Sequence, residues 1–189
     1  MDSRATWTIP NILTIARIII TPGFLIAFLN DAMGLAWFFF LLAGLSDALD
    51  GFLARALDQR SELGAMLDPL ADKVLLVTSF LCLGAKGLVP SWLVVVVVTR
   101  DMVIVGGLFL LQFWGIDVRT RIAPTIISKL NTLLQILFVF VVLLHLTFPT
   151  WSLAGLRFVL EWAVVVCTTF SGVDYVLRGL RIFAESENP

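Results

Sequence analysis

Four of the fourteen acidic residues carry the chemistry this sequence can offer. Asp47 and Asp50 stand three residues apart, and Asp68 and Asp72 stand four apart. Both intervals place neighbouring side chains on one face of a helix. Gly51, Ala54 and Arg55 continue the first face, and Gly64 leads into the second. Two antiparallel helices joined by a short loop would gather the four carboxylates. Such a cluster repels itself unless cations neutralise it. A hard, all-oxygen ligand set favours Mg²⁺ or Mn²⁺ over zinc. The single histidine, His145, and the two cysteines, Cys82 and Cys167, form no competing set, and both cysteines lie in apolar runs. Gly51 and Ala54 clear a slot where a bulky ligand could approach the backbone. Arg55 adds a fork that matches phosphate, and Ser61 adds a hydroxyl. Metal, slot and arginine together suit a pyrophosphate or a phosphodiester.

The elements that must hold these residues are transmembrane helices. The chain has 189 residues, 59% of them hydrophobic and only 14% charged. A soluble domain carries roughly 25% charged residues, so the composition excludes a water-soluble globule, a disordered chain and a fibrous repeat. A net charge of -1 leaves no broad basic field for nucleic acid. At about 20 residues per span, six spans nearly exhaust the length. We expect an all-α integral membrane bundle that forms one domain over residues 1–189. The spans run from about Ile12 to Leu29, from Leu35 to the region of Arg55, and from Asp68 to Leu88. Three more cover about Trp92 to Trp114, Thr125 to Phe148 and Leu153 to Leu177. Pro69 then falls in the first turn of the third helix, where its missing N–H is harmless.

Loop charges orient the bundle. With the N-terminus in the cytoplasm, Arg4, Arg55, Arg60, Arg119, Arg121, Arg178 and Arg181 lie on the cytoplasmic side, against Lys86 and Arg157 opposite. The positive-inside rule favours that arrangement, with both termini cytoplasmic. Trp37, Trp92, Trp114, Trp151 and Trp162 lie near expected span ends and suit an interfacial belt. Met1 to Pro10 has no cleavable signal pattern. We therefore expect a protein of the bacterial inner membrane. The tail from Ala184 to Pro189 is expected to fray.

At the aspartates the sequence resembles a known family. The stretch from Asp47 to Asp72 looks like the signature of the CDP-alcohol phosphotransferases: Asp47, Asp50, Gly51, Ala54, Arg55, Gly64, Asp68 and Asp72 fill its eight fixed positions. Pro10-Asn11 with Thr14 and Arg17 looks like the family's lead into the first span. Ser128-Lys129, Asn131-Thr132 and Gln135 are similar to a fifth-span segment of its glycerophospholipid branch. The resemblance implies a six-helix bundle with a polar cavity open to the cytoplasm, commonly a homodimer. It implies that Asp47, Asp50, Asp68 and Asp72 bind divalent metal, and that Asp72 is the general base. It also implies that Gly51, Arg55 and Ser61, with Asn11 and Thr14, hold the CDP part of the donor. The implied reaction moves a phosphatidyl group from CDP-diacylglycerol to an alcohol and releases CMP.

The acceptor is read from the remaining cations. Arg100, Lys129, Arg119 and Arg121 are the candidates for an acceptor phosphate, although Arg100-Asp101 could instead compensate itself and Lys129 could snorkel to the surface. Arg17 is expected to meet an acid of the pocket or the donor phosphate. Thr99-Arg100-Asp101, the stretch from Pro124 to Thr132 and Thr168-Thr169 look like the cardiolipin-forming members of the family. That leans the reading to phosphatidylglycerol as acceptor, with glycerol-3-phosphate as the alternative. A cation carrier is the non-enzyme alternative, because intramembrane carboxylates also mark ion paths. A carrier favours midplane sites in matching halves, whereas these acids gather at one side. His145 receives no role. Asp174 with Arg178, and Glu161 with Arg157, are each four residues apart and read as structural pairs.

Overall fold

The computed structural model describes residues 9–56, 62–113 and 125–187, and among them it holds six helices and no strand. They are α1 (Ile9–Leu29), α2 (Met33–Ala56), α3 (Glu62–Ala85), α4 (Ser91–Phe113), α5 (Ile126–Thr147) and α6 (Ala154–Glu187). Each expected apolar run corresponds to one helix. At 22 residues, α5 is long and apolar enough to cross a hydrocarbon core, and so is the Ala154–Leu180 part of α6. The apolar stretches Ile19–Leu29, Met33–Ser46 and Lys73–Ala85 are shorter. Large apolar side chains cover much of the outside, with Ile126 84% exposed and Phe170 66% exposed. Apolar exposure on that scale suits lipid better than water.

Two boundaries differ from the sequence reading. α3 starts at Glu62, six residues before Asp68, so Pro69 lies in the helix interior and not in its first turn. A proline there has no N–H to give the Ala65 carbonyl. The aspartates of α3 are thus borne on a helix that has already run for more than a turn. α6 continues to Glu187, well beyond the expected end at Leu177 and through most of the tail expected to fray. No proline stops it before Pro189.

The chain divides into two compact units. The first contains residues 1–83 and 139–153. In it α1 packs along α2. Three residues, Asn30 to Ala32, turn the chain between them, and Asp31 takes a left-handed conformation at φ 59°. The Asn30 Nδ2 donates to the Ile26 carbonyl at 2.9 Å, closing the end of α1. Phe24, Phe28 and Phe40 form the core, with centroids 6.0 Å apart for Phe24–Phe28 and 6.1 Å for Phe24–Phe40. The buried alanines Ala27, Ala36 and Ala43 keep the helices close. Pro22 sits within α1, and the Thr21 hydroxyl donates to the Arg17 carbonyl at 3.0 Å. Beyond α5, Trp151 stacks on Phe148 at 5.4 Å, and the His145 ring meets the Trp151 carbonyl at 3.3 Å. His145 therefore serves this turn.

The second unit contains residues 84–138 and 154–189. Its core is largely aliphatic, with Val89, Leu93, Val97 and Val164 buried together with Phe138. α4 packs along α6, and Trp92 meets Trp162 at 6.4 Å. Gly87 closes the end of α3 with φ 66° and donates its N–H to the Gly84 carbonyl at 2.9 Å. Gly84 itself permits a close approach: a Cβ there would stand 2.7 Å from Cγ2 of buried Val94. Gly84→Ala is therefore expected to cost about 1–3 kcal/mol, the usual penalty of overpacking. A thermal unfolding midpoint unchanged in detergent would show that Val94 yields freely.

Candidate active site

The signature residues are carried by the first unit. α2 bears Asp47, Asp50, Gly51, Ala54 and Arg55, and α3 bears Gly64, Asp68 and Asp72. Both segments are helical, as the spacing required. At about 100° per residue, the five α2 positions fall within an arc of about 140°, and the three α3 positions within about 80°. Asp50 lies six residues before the end of α2, and Asp68 six residues after the start of α3. Each is thus about 9 Å of helix rise from its helix end. An antiparallel pairing of the two helices would set these two carboxylates at equal depth. Asn11 and Thr14 lie on α1, in the same unit. The side chains of all these residues, and Ser61 entirely, lie outside the described residues.

The residue types expected as donors would suit a divalent cation. Helical backbone at both segments sustains the i, i+3 and i, i+4 registers, and the donors are four carboxylates with no histidine or cysteine among them. Oxygen-only donors of that charge match Mg²⁺ or Mn²⁺. Arg17, on α1 of the same unit, is 1% exposed. A buried guanidinium in an apolar helix is costly unless it meets acceptors, so α1 also contributes charge to the interior of this unit.

The cations considered for the acceptor lie elsewhere in the chain. Arg100 on α4 and Lys129 on α5 belong to the second unit, while Arg119 and Arg121 lie outside the described residues. Lys129 is exposed in the first turn of α5. That turn is capped by Thr125, whose hydroxyl accepts from the Ser128 N–H at 3.1 Å. Arg100 is 5% exposed. Its Nη1 donates to Asp101 Oδ1 at 2.8 Å, and its Nη2 donates to the hydroxyls of Ser128, at 2.7 Å, and Ser171. One guanidinium so ties α4 to α5 and to α6. Self-compensation by Asp101 is the arrangement the structure adopts.

A second buried polar group joins α5 to α6. The Thr168 hydroxyl donates to Asn131 Oδ1 at 2.8 Å, and Gln135 Nε2 reaches Thr168 Oγ1 at 3.4 Å. All three side chains are at most 1% exposed. Asn131 Nδ2 and Gln135 Oε1 have no hydrogen-bond partner among the described residues. The role of Ser171 was not visible in the sequence, because its partner on α4 is 71 residues away. The Asp174–Arg178 pair forms as expected, at 3.0 Å. Arg157 instead donates to the Leu88 carbonyl, and no ion pair with Glu161 occurs among the described residues.

A family model described as CDP-alcohol phosphatidyltransferase matches residues 7–170. The chain is 39% identical over 149 residues to the rat (Rattus norvegicus) protein named cardiolipin synthase (CMP-forming), a match covering 70% of this chain and 49% of the rat one. It is 34% identical over 177 residues to a Mycobacterium tuberculosis protein named "Probable phosphatidylglycerophosphate synthase", covering 90% of this chain and 81% of the other. It is also 34% identical over 189 residues to a chloroplastic rice (Oryza sativa subsp. japonica) protein named CDP-diacylglycerol--glycerol-3-phosphate 3-phosphatidyltransferase 1, covering 92% and 57% respectively. The chain thus spans about half the length of the rat and rice relatives it matches.

Proposed function

The chain belongs to the CDP-alcohol phosphatidyltransferase family, and from that premise we propose that it moves a phosphatidyl group from CDP-diacylglycerol to a glycerol-type alcohol, releasing CMP. The observation that carries the reading is the eight-residue signature, complete and borne on two helices. Asp47, Asp50, Asp68 and Asp72 would hold Mg²⁺ or Mn²⁺. When bound, the ion would neutralise the pyrophosphate and stabilise charge on the departing CMP. Arg55, Gly51 and Ser61, with Asn11 and Thr14, hold the nucleotide part of the donor. Asp72 takes the proton from the acceptor hydroxyl. The acceptor oxygen forms its bond to the lipid-bearing phosphorus, the bond to the CMP oxygen breaks, and CMP leaves.

Membership in a transferase family favours this reading over cation carriage. Six helices in sequence among the described residues, with arginines in alternate connections, support six spans and cytoplasmic termini. We read the protein as an integral component of the bacterial inner membrane, its site facing the cytoplasm, working as a homodimer. Phosphatidylglycerol is the preferred acceptor, in line with the name of the rat relative. Glycerol-3-phosphate is the second reading, favoured by the name of the rice relative.

Purified full-length chain, supplied with CDP-diacylglycerol and phosphatidylglycerol, is expected to release CMP and form cardiolipin only when Mg²⁺ or Mn²⁺ is added. Product from glycerol-3-phosphate and none from phosphatidylglycerol would reverse the acceptor. Turnover undiminished by a chelator would remove the metal, and ion flux without CMP release would reinstate the carrier.

A further inference from the structure

Each helix of the α1–α2 hairpin carries a buried stripe. On α1 it is Arg17, Thr21, Phe24 and Phe28, stepping by four, three and four, and none is more than 7% exposed. On α2 it is Ala36, Phe40 and Ala43, none more than 3% exposed. The same alternation of four and three carries the α2 stripe on to Asp47, Asp50 and Ala54. Helix continues through those positions. The first two signature aspartates therefore stand on the α2 face that packs along α1.

Contacts within the hairpin fix how the two helices are aligned. Phe24 meets Phe40, with ring centroids 6.1 Å apart. A Cβ at Gly23 would stand 3.5 Å from the ring of Phe39. The helices run antiparallel, since only Asn30 to Ala32 join them. Seven residues back from Phe24 is Arg17, and seven residues on from Phe40 is Asp47. Each step is about 10.5 Å of helix rise, so Arg17 and Asp47 stand level. Asp50 lies about 4.5 Å further along, and Asp31, at the turn, about 21 Å from Arg17. Arg17 is 1% exposed and engaged in a polar interaction. Packed helix axes lie roughly 8–10 Å apart, a gap that an arginine and an aspartate together can bridge. A guanidinium buried among apolar side chains needs an anion, and Asp47 is the acid at its level.

We propose that Arg17 is a positioning residue, its guanidinium paired across the hairpin with Asp47. A carboxylate has two oxygens, so Asp47 can meet the arginine with one and a divalent cation with the other. Arg17 thereby offsets part of the repulsion among the aspartates before metal binds and aims one of the donors. The inference rests on the reading of Asp47 as a metal ligand, but the pairing itself is tested with metal removed.

The experiment follows unfolding of the purified full-length chain in an uncharged detergent, first with a chelator. Arg17→Gln strands the Asp47 carboxylate and should lower stability. Adding Asp47→Asn should restore part of the loss, with a coupling of about tenfold or more in the unfolding equilibrium constant. Asp31→Asn, at the far end of α1, should couple with Arg17→Gln not at all. Arg17→Lys, which keeps the charge, should recover most of the loss. Saturating Mn²⁺ should then at least halve the gap in midpoint between Arg17→Gln and the parent, because the ion supplies the missing positive charge and binds the variant more tightly. A packing defect would leave that gap as it was. If Arg17→Gln does not fold in chelator, its recovery in Mn²⁺ reads the same effect. Additive losses for Arg17→Gln and Asp47→Asn would overturn the proposal, and so would a gap unchanged by Mn²⁺ that does stabilise the parent. Mn²⁺ that stabilised neither protein would remove the metal reading instead, and the coupling in chelator would still decide the pairing.

Discussion

Asp72→Asn is expected to lower CMP release about 10²–10⁴-fold, the range a positioned general base supplies. The substitution preserves size and one oxygen donor, so the helix and much of any metal coordination survive. What disappears is the ability to take a proton from the acceptor hydroxyl. Asp72 lies on the same α3 face as Asp68 and Gly64, one turn further from the helix start. Initial rates of CMP release from purified protein would measure the loss, with the thermal midpoint confirming that the fold persists. Unimpaired turnover would remove Asp72 from the proton-transfer step and leave it, at most, as a ligand.

Arg100→Leu carries the second large effect, and its target is stability. The guanidinium is 5% exposed and donates to three side chains on α4, α5 and α6. Its removal strips the cation at 2.8 Å from the Asp101 carboxylate, which is itself 4% exposed. Breaking a buried ion pair on one side costs about 3–5 kcal/mol. Pairing the change with Asp101→Leu should recover much of that loss, because replacing both charges removes the buried anion together with its counter-ion. Thermal unfolding of the single and double variants in detergent tests this. If Arg100→Leu were as stable as the parent and raised only the KM of the acceptor, the arginine would be a substrate ligand and not a clamp.

The helices were legible because each is an apolar run closed by charge, proline or glycine. The starting point of α3 was not. Glu62 to Leu67 contains Gly64 and is followed by Pro69, two residues that normally argue against a helix. The helix forms through them nonetheless, and its apolar continuation from Val74 onward supplies the packing that propensity lacks, as in Leu75, Leu76 and Phe80. The far end of α6 was missed for the opposite reason: apolarity ends near Leu180, but helix does not require it.

The candidate site was readable to the extent that its chemistry is local. The aspartates announce themselves by intervals of three and four within single helices. The Arg100 clamp does not, because Ser128 and Ser171 are 28 and 71 residues from it. A serine in an apolar run carries no sign of its distant partner. The adjacent Arg100-Asp101 pair was the one legible part of that cluster, since both residues stand together in the chain.

That adjacency has a consequence for how the protein is made. Residue 171 does not yet exist when α4 leaves the ribosome. At about 5–20 residues per second, the 71 residues separating Arg100 from Ser171 take roughly 4–14 s to synthesise. Through that interval α6 cannot reach the guanidinium. Asp101 travels beside it, so α4 carries its own counter-ion before α6 is available. The serines join afterwards, turning an internal ion pair into a joint between three helices.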